Sequence, residues 1–191
     1  MYREIAVNDF MPLLLKHLKF CASILDVGCG TGTLLEQYEA DVVLGLDVHR
    51  PYLLQRKYTA PHIIPVHANA MHIDRLFLPK TFSAVTLIDS LEHFSKPEGL
   101  DLLQKAEMLS NNRVAVFTPR GFFPQEGTDH FGLNGEYYQK HNSGWEPEEL
   151  VALGYEVTVL KGYHHAENPA FRKAFGEEHE PVDALLACKT V

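Results

Sequence analysis

Ile24-Leu25-Asp26-Val27-Gly28-Cys29-Gly30-Thr31-Gly32-Thr33-Leu34-Leu35 is the stretch from which the rest of this chain is read. An apolar run ends in glycines at alternate positions, Gly28, Gly30 and Gly32, and apolar helical spacing follows. That pattern predicts a buried strand, a turn of small residues and a helix. Glycine reaches positive φ and lets a ligand approach the backbone. A helix start offers free N–H groups to polar ligand atoms. A nucleotide-like molecule is expected across this turn.

Around this stretch the pattern repeats. Strand-like runs recur at 23–28, 42–48, 63–67, 82–88 and 113–118, with helical segments at 32–40, 51–58 and 97–109 between them. Such alternation predicts an α/β fold, a mostly parallel sheet with helices on both faces. Residues 9–19 read as a helix on the core, making 1–22 an N-terminal helical cover. The last third breaks the rhythm. A polar, Gly-rich stretch at 119–145 precedes a short helix, Glu146–Leu153, and two strands, Tyr155–Tyr163 and Asp183–Lys189. The connections 119–145 and 164–181 are expected to be substrate-side loops, because long connections in compact domains are commonly functional.

The bulk numbers agree with one domain over 1–191: 191 residues, 46% of them hydrophobic. No apolar run nears the roughly 20 residues of a membrane span, which argues against insertion. The start, Met1-Tyr2-Arg3-Glu4, is too polar for a signal peptide. Three cysteines without paired or metal-type spacing fit a reduced, cytoplasmic setting. A net charge of −8 argues against nonspecific binding to nucleic acid. Nothing in the residues specifies an oligomeric state.

Open α/β sheets bind ligands beyond the strand C-termini, where strand order reverses. Asp47 closes the second strand, where a carboxylate can accept from both ribose hydroxyls, with Val48 beside it. A strand-terminal Asp that merely starts a turn is the plainer reading. An NAD-dependent oxidoreductase would share the strand, turn and acid, but its fingerprint is G-x-G-x-x-G. Here Thr33 stands at the third glycine position, and Asp26 precedes the turn. A carboxylate suits a cofactor with an amino-acid end and a positive sulfonium better than a pyrophosphate.

These residues resemble motif I of class I S-adenosylmethionine-dependent methyltransferases. The resemblance implies a Rossmann-like, doubly wound, seven-stranded sheet, mostly parallel with an antiparallel last strand, and S-adenosyl-L-methionine as cofactor. It assigns cofactor contacts to Asp26, Gly28, Gly30, Gly32, Asp47 and Val48. Asn69, Ala70 and Met71, after the third strand, occupy the position where the family cradles adenine; Asn69 as a turn residue is the competing reading. The stretch 82–93 looks like the fourth strand and the loop over the methionine end, and 113–119 like the fifth strand.

Methyl transfer is an in-line attack, so the protein must align the reactants and, for a hydroxyl acceptor, remove a proton. Asp89, Glu92 and His93 crowd the end of the fourth strand; His141 and Trp145 come much later. This acid-x-x-Glu-His and His-x-x-x-Trp pair is similar to ubiquinone-pathway O-methyltransferases and small-RNA 3′-end 2′-O-methyltransferases. That resemblance implies a divalent metal at Asp89, Glu92, His93 and His141, with His93 and His141 catalytic. A metal lowers a hydroxyl's pKa and orients it. A mixed oxygen and imidazole set suits Mn²⁺, Fe²⁺ or Zn²⁺ better than Mg²⁺. Asp89 departs from the Glu usual there, and its shorter arm would instead reach the cofactor. His93 as a metal-free base or pocket residue, and His93 as a structural histidine, both stand beside the metal reading.

Asp129-His130, with Phe122, Phe123 and Phe131, reads as a loop over the acceptor or a lid packed on itself. His164 and His165 read as site-facing or as a solvated turn, and Arg120-Gly121 as a possible acceptor contact. The expectation is a methyltransferase that O-methylates a small-molecule acceptor. The alternatives are an NAD-dependent oxidoreductase, an RNA 2′-O-methyltransferase or an inactive cofactor-binding module.

Overall fold

The computed structural model describes residues 2–191; Met1, the first residue of the expected 1–22 cover, lies outside them. The strands are β1 (Arg3–Ile5), β2 (Ser23–Val27), β3 (Val42–Asp47), β4 (Ile63–His67), β5 (Phe82–Ile88), β6 (Ser110–Pro119), β7 (Glu156–His164) and β8 (Val182–Thr190). The helices are α1 (Met11–Leu18), α2 (Arg50–Leu54), α3 (Ile73–Leu76), α4 (Lys96–Leu109), α5 (Pro147–Ala152) and α6 (Pro169–Phe175). Among the described residues, no helix is long and apolar enough to cross a membrane.

One sheet holds all the strands in the order β1-β7-β8-β6-β5-β2-β3-β4. β8 runs antiparallel to both β6 and β7, and the other pairs are parallel. The sheet has eight strands rather than the expected seven. The extra one, β1, is three residues long, too short to leave a periodic pattern. It covers the free edge of β7, where Arg3 Nε donates to Thr158 Oγ1 at 2.8 Å.

Alternation along β2 builds three layers. Leu25 and Val27 pack on one face with Leu102, Leu103 and Ala106 of α4 and Ile73 of α3. Ile24 packs on the other with Leu14 and Leu18 of α1. α4 starts at a capping box, in which Ser95 and Glu98 satisfy each other's backbone N–H groups, with a proline in its first turn.

The helix expected over 32–40 is absent. A single 3₁₀ turn, Leu35–Gln37, follows the glycine turn. Two contacts account for it. Tyr38 is drawn into the core, 3% exposed, where its hydroxyl donates to Asp26 Oδ1 at 3.0 Å. Gly32 lies so close to the Tyr58 ring that a Cβ would sit 2.4 Å from it. The helix expected over 51–58 is likewise shortened to Arg50–Leu54. The connection 164–181 contains α6, so it is not a plain hairpin.

After β2 the chain adds β3 and β4 on one side, then crosses back to place β5 on the other. The order therefore reverses between β2 and β5, where a crevice opens beyond the strand C-termini.

Candidate active site

At that reversal the glycine turn is gripped from both sides. The N–H groups of Gly28 and Cys29 donate to the Leu46 carbonyl at 2.8 and 3.0 Å. Gly28 has φ +79°, and a Cβ there would meet Ser90 Oγ at 2.4 Å. Only glycine lets the turn lie this close to the end of β5.

Asp47 emerges beside it. Its Oδ2 accepts from Gly30 N at 2.9 Å and its Oδ1 from His49 N at 2.7 Å. Burial pushes its carboxyl up, and those two N–H groups oppose the shift. Each oxygen keeps a lone pair for a further donor.

Gly28, Gly30, Asp47, Val48, Asn69, Ala70, Met71 and Asp89 line one cavity of about 430 Å³. Asn69 Oδ1 accepts from Met71 N at 2.9 Å, so it shapes the turn while its amide N–H groups remain available. The cavity suits S-adenosylmethionine: an acid for hydroxyls, glycine backbone for close approach, and Met71 for a flat ring.

Two residues expected at the cofactor lie elsewhere. Gly32 faces Tyr58. Asp26 is 5% exposed and accepts from Tyr38 and Thr86 hydroxyls between β2 and β5. Burial pushes its carboxyl up to about 6, against the pull of those two donors. This acid ties strands together rather than lining the cavity.

A smaller cavity of about 180 Å³ adjoins the first, and Asp89 and His93 border both. In it, one ligand atom each from Glu92, His93 and His141 lie within 4.8 Å of one another. His93 Nδ1 lies 3.1 Å from the Lys140 carbonyl, and His141 Nδ1 lies 2.8 Å from that of Phe123. A carbonyl only accepts, so each ring carries its proton on Nδ1 and leaves Nε2 with a free lone pair. Burial lowers both imidazoles; His141, with His93 nearby, falls to about 4, so both rings are neutral at pH 7. Glu92 is 3% exposed and accepts from Thr118 Oγ1 at 3.0 Å, and burial pushes its carboxyl up. A cation would offset that cost. Among the described residues this three-membered donor set fits a divalent ion in chemistry and tautomer. Asp89, expected as the fourth member, is outside the cluster. Its backbone turns left-handed, φ +46°, and its arm is short.

Other residues find clear places. His164 is buried in the wall of the smaller cavity, which His130 also borders. Arg120 pairs with Glu146 and Asp183, at 3.1 and 3.2 Å, so its charge is already matched. Trp145 is fully buried against Gly99 of α4, and Lys96 caps its ring at 3.7 Å. Sequence reasoning missed Thr118 behind Glu92, and Tyr52, Tyr138 and Lys140 in the wall of the larger cavity. Only the polar, Gly-rich composition of 119–145 hinted at the last two.

Residues 24–111 match the family model described as "Methyltransferase domain". No curated protein matches the chain in sequence. Its fold is similar to that of a SAM-dependent methyltransferase from Archaeoglobus fulgidus (18% identity, 94% of this chain and 91% of that one covered, TM-score 0.61). It is also similar to an S-adenosylmethionine-dependent methyltransferase from Mesorhizobium loti (17%, 95% of each chain, TM-score 0.60). A third is the methyltransferase domain of bacterial CtHen1-C (18%, 95% and 97%, TM-score 0.60). The matched segment carries the glycine turn, Asp47 and the end of β5, and the dehydrogenase alternative falls with it. The chain carries a methyltransferase domain over residues 24–111, on the fold of S-adenosylmethionine-dependent methyltransferases.

Proposed function

We propose that the chain O-methylates a small-molecule acceptor whose hydroxyl enters the smaller cavity. One observation carries this reading: Glu92, His93 and His141 converge in the smaller cavity, where His93 also borders the larger one, both rings neutral with Nε2 free. In the larger cavity Asp47 would hold the ribose hydroxyls, Asn69 to Met71 the adenine, and the Gly28–Gly30 backbone the amino-acid end.

S-adenosylmethionine supplies an electrophilic methyl group on a sulfonium. The chain's own part is to align a hydroxyl and take its proton. A neutral imidazole Nε2 is a suitable acceptor at pH 7. The Lys140 and Phe123 carbonyls hold the two rings in the required tautomer, and Thr118 orients Glu92. Glu92, His93 and His141 are also the residues that would hold a divalent ion, which would lower the hydroxyl's pKa there. The resemblance of the Asp89-to-His93 and His141-to-Trp145 segments to O-methyltransferases supports an oxygen acceptor.

The test is transfer of labelled methyl to size-matched alcohols, phenols and amines, with products identified by mass spectrometry. Label on oxygen, lost in His93→Ala, is the expected result. Label on the amines alone overturns the reading.

A further inference from the structure

The 119–145 connection reaches back over the cofactor cavity rather than only over the acceptor. Its neck is stitched by neighbouring contacts. Glu126 bridges Lys140, Gln125 Nε2 donates to the Gln139 carbonyl at 2.8 Å, and His141 N donates to the Gln125 carbonyl at 2.9 Å. Gly127 sits at the start of the loop with φ +81°, where a Cβ would meet the Glu136 carbonyl at 2.2 Å. The intervening residues form a compact Ω-loop with its ends together.

What this loop touches decides its role. Asp129 collects four donors. Its Oδ1 accepts from Tyr52 Oη at 2.8 Å and Phe131 N at 2.9 Å; its Oδ2 accepts from Leu133 N at 2.5 Å and Gly135 N at 3.0 Å. Gly135 lies on the Tyr52 hydroxyl so closely that a Cβ would sit 1.9 Å from it. The Leu133 carbonyl meets His49 Nε2 at 2.8 Å. Phe131 rests on Gly30, 3.4 Å from where a Cβ would be. Gly30, His49 and Tyr52 belong to the glycine turn and to the α2 segment that follows Asp47. These same two elements line the larger cavity through Gly28, Gly30 and Tyr52, and Tyr137, Tyr138 and Gln139 of the loop line it as well.

We propose that residues 127–139 are a lid closed over the cofactor, and that Asp129 is the positioning residue that pins it shut through Tyr52. About half of the lid's residues are exposed, and its apolar contacts to the α2 segment are the Phe131 ring on Tyr52 and the Tyr138 ring on His49. The Asp129–Tyr52 pair is a side-chain tie between the lid and α2, and it is polar and reversible. Closing a loop over a bound molecule slows its escape. Burial would raise the Asp129 carboxyl, but donation by Gly135, Phe131, Tyr52 and Leu133 outweighs it and holds it at about 2, so the pin stays charged across neutral pH.

The test uses the full chain with S-adenosylhomocysteine as probe, so it needs no acceptor. Asp129→Ala, Tyr52→Phe and the double variant are compared by stopped-flow dissociation, calorimetry and amide exchange. Each single variant is expected to release the probe about tenfold faster, as for one lost charged hydrogen bond. The double variant should be no worse than Asp129→Ala. Amides of 129–139 should exchange faster in the ligand-free variants, while those of β2 and β5 keep their protection. Unchanged release in both single variants overturns the proposal. So do additive losses in the double variant, which would place the Tyr52 hydroxyl on the ligand itself. If Asp129→Ala lowers protection throughout the sheet, Tyr52→Phe decides alone, because it keeps the buried ring.

Discussion

His93 and His141 meet edge to face, ring centroids 4.9 Å apart and planes inclined by 71°. One follows β5 and the other closes the long connection after β6. Each is steered by a backbone carbonyl of the 119–145 connection, so neither ring can turn its Nε2 away without losing a hydrogen bond. This rigid pair is where an acceptor hydroxyl would meet the chain.

His141→Ala should therefore abolish any stimulation of methyl transfer by Mn²⁺ or Zn²⁺, with S-adenosylhomocysteine affinity within about twofold of the parent, since His141 lies outside the larger cavity. Activity under chelator titration, with calorimetry alongside, checks this. Parent activity indifferent to chelator removes the metal from the reading and leaves His93 as a metal-free base.

Asp47→Ala should weaken S-adenosylhomocysteine binding by about 1–3 kcal/mol, because the N–H groups of Gly30 and His49 lose their acceptor along with the ligand's hydroxyls. Calorimetry reads the change directly. An unaltered affinity would mean that the ribose is held by other groups.

Asp26 makes a prediction of a different kind. Its carboxyl is raised from 3.8 to about 6 in the fold, so the native state binds its proton more tightly than the unfolded chain does. Stability should consequently be greatest below the unfolded value and fall as pH rises from about 4 to about 6, by about 3 kcal/mol at most. In Asp26→Asn that decline should flatten, since the amide oxygen still accepts from Tyr38 and Thr86. Urea unfolding at pH 4, 5, 6 and 7 compares the two slopes; parallel curves would refute the assignment.

Two glycines with similar backbone angles separate strain from crowding. Gly28 (φ +79°) and Gly132 (φ +65°) both occupy the left-handed region. A Cβ at Gly132 meets nothing within 4 Å, whereas at Gly28 it strikes Ser90 Oγ. Gly132→Ala should cost only the conformational penalty of about 1–2 kcal/mol. Gly28→Ala should cost clearly more, and Ser90→Gly should recover part of the difference. Thermal melting of the three variants measures it, and equal losses at both glycines would be the contrary outcome.

Much of the sheet is legible in the sequence: the central strands β2 and β5, buried on both faces, read as near-continuous apolar runs, and the edge strand β4 as a short apolar one. The expected boundaries at 63–67 and 82–88 coincide with β4 and β5. Three residues carry no period, so β1 leaves no trace in the sequence, and the apolar spacing over 32–40 suggests a helix because it holds no sign of Tyr38's pull toward Asp26. Asp26 itself looked like a cofactor acid from its place beside the glycines. Its partners, Tyr38 and Thr86, come from a loop and from β5, and no local motif names them.

The sequence alone determined the strand, the glycine turn and the acid that ends β3, because each depends on neighbours a few residues away: apolar alternation, positive φ and a strand terminus. Only the tertiary structure decided that Asp26 faces the core, that Asp89 falls outside the cluster of Glu92, His93 and His141, and that the Asp129 loop ties to Tyr52 and lines the larger cavity. Those outcomes depend on contacts between segments distant in the chain. Packing and the need of each buried donor for an acceptor select such contacts, and neither leaves a period in the sequence.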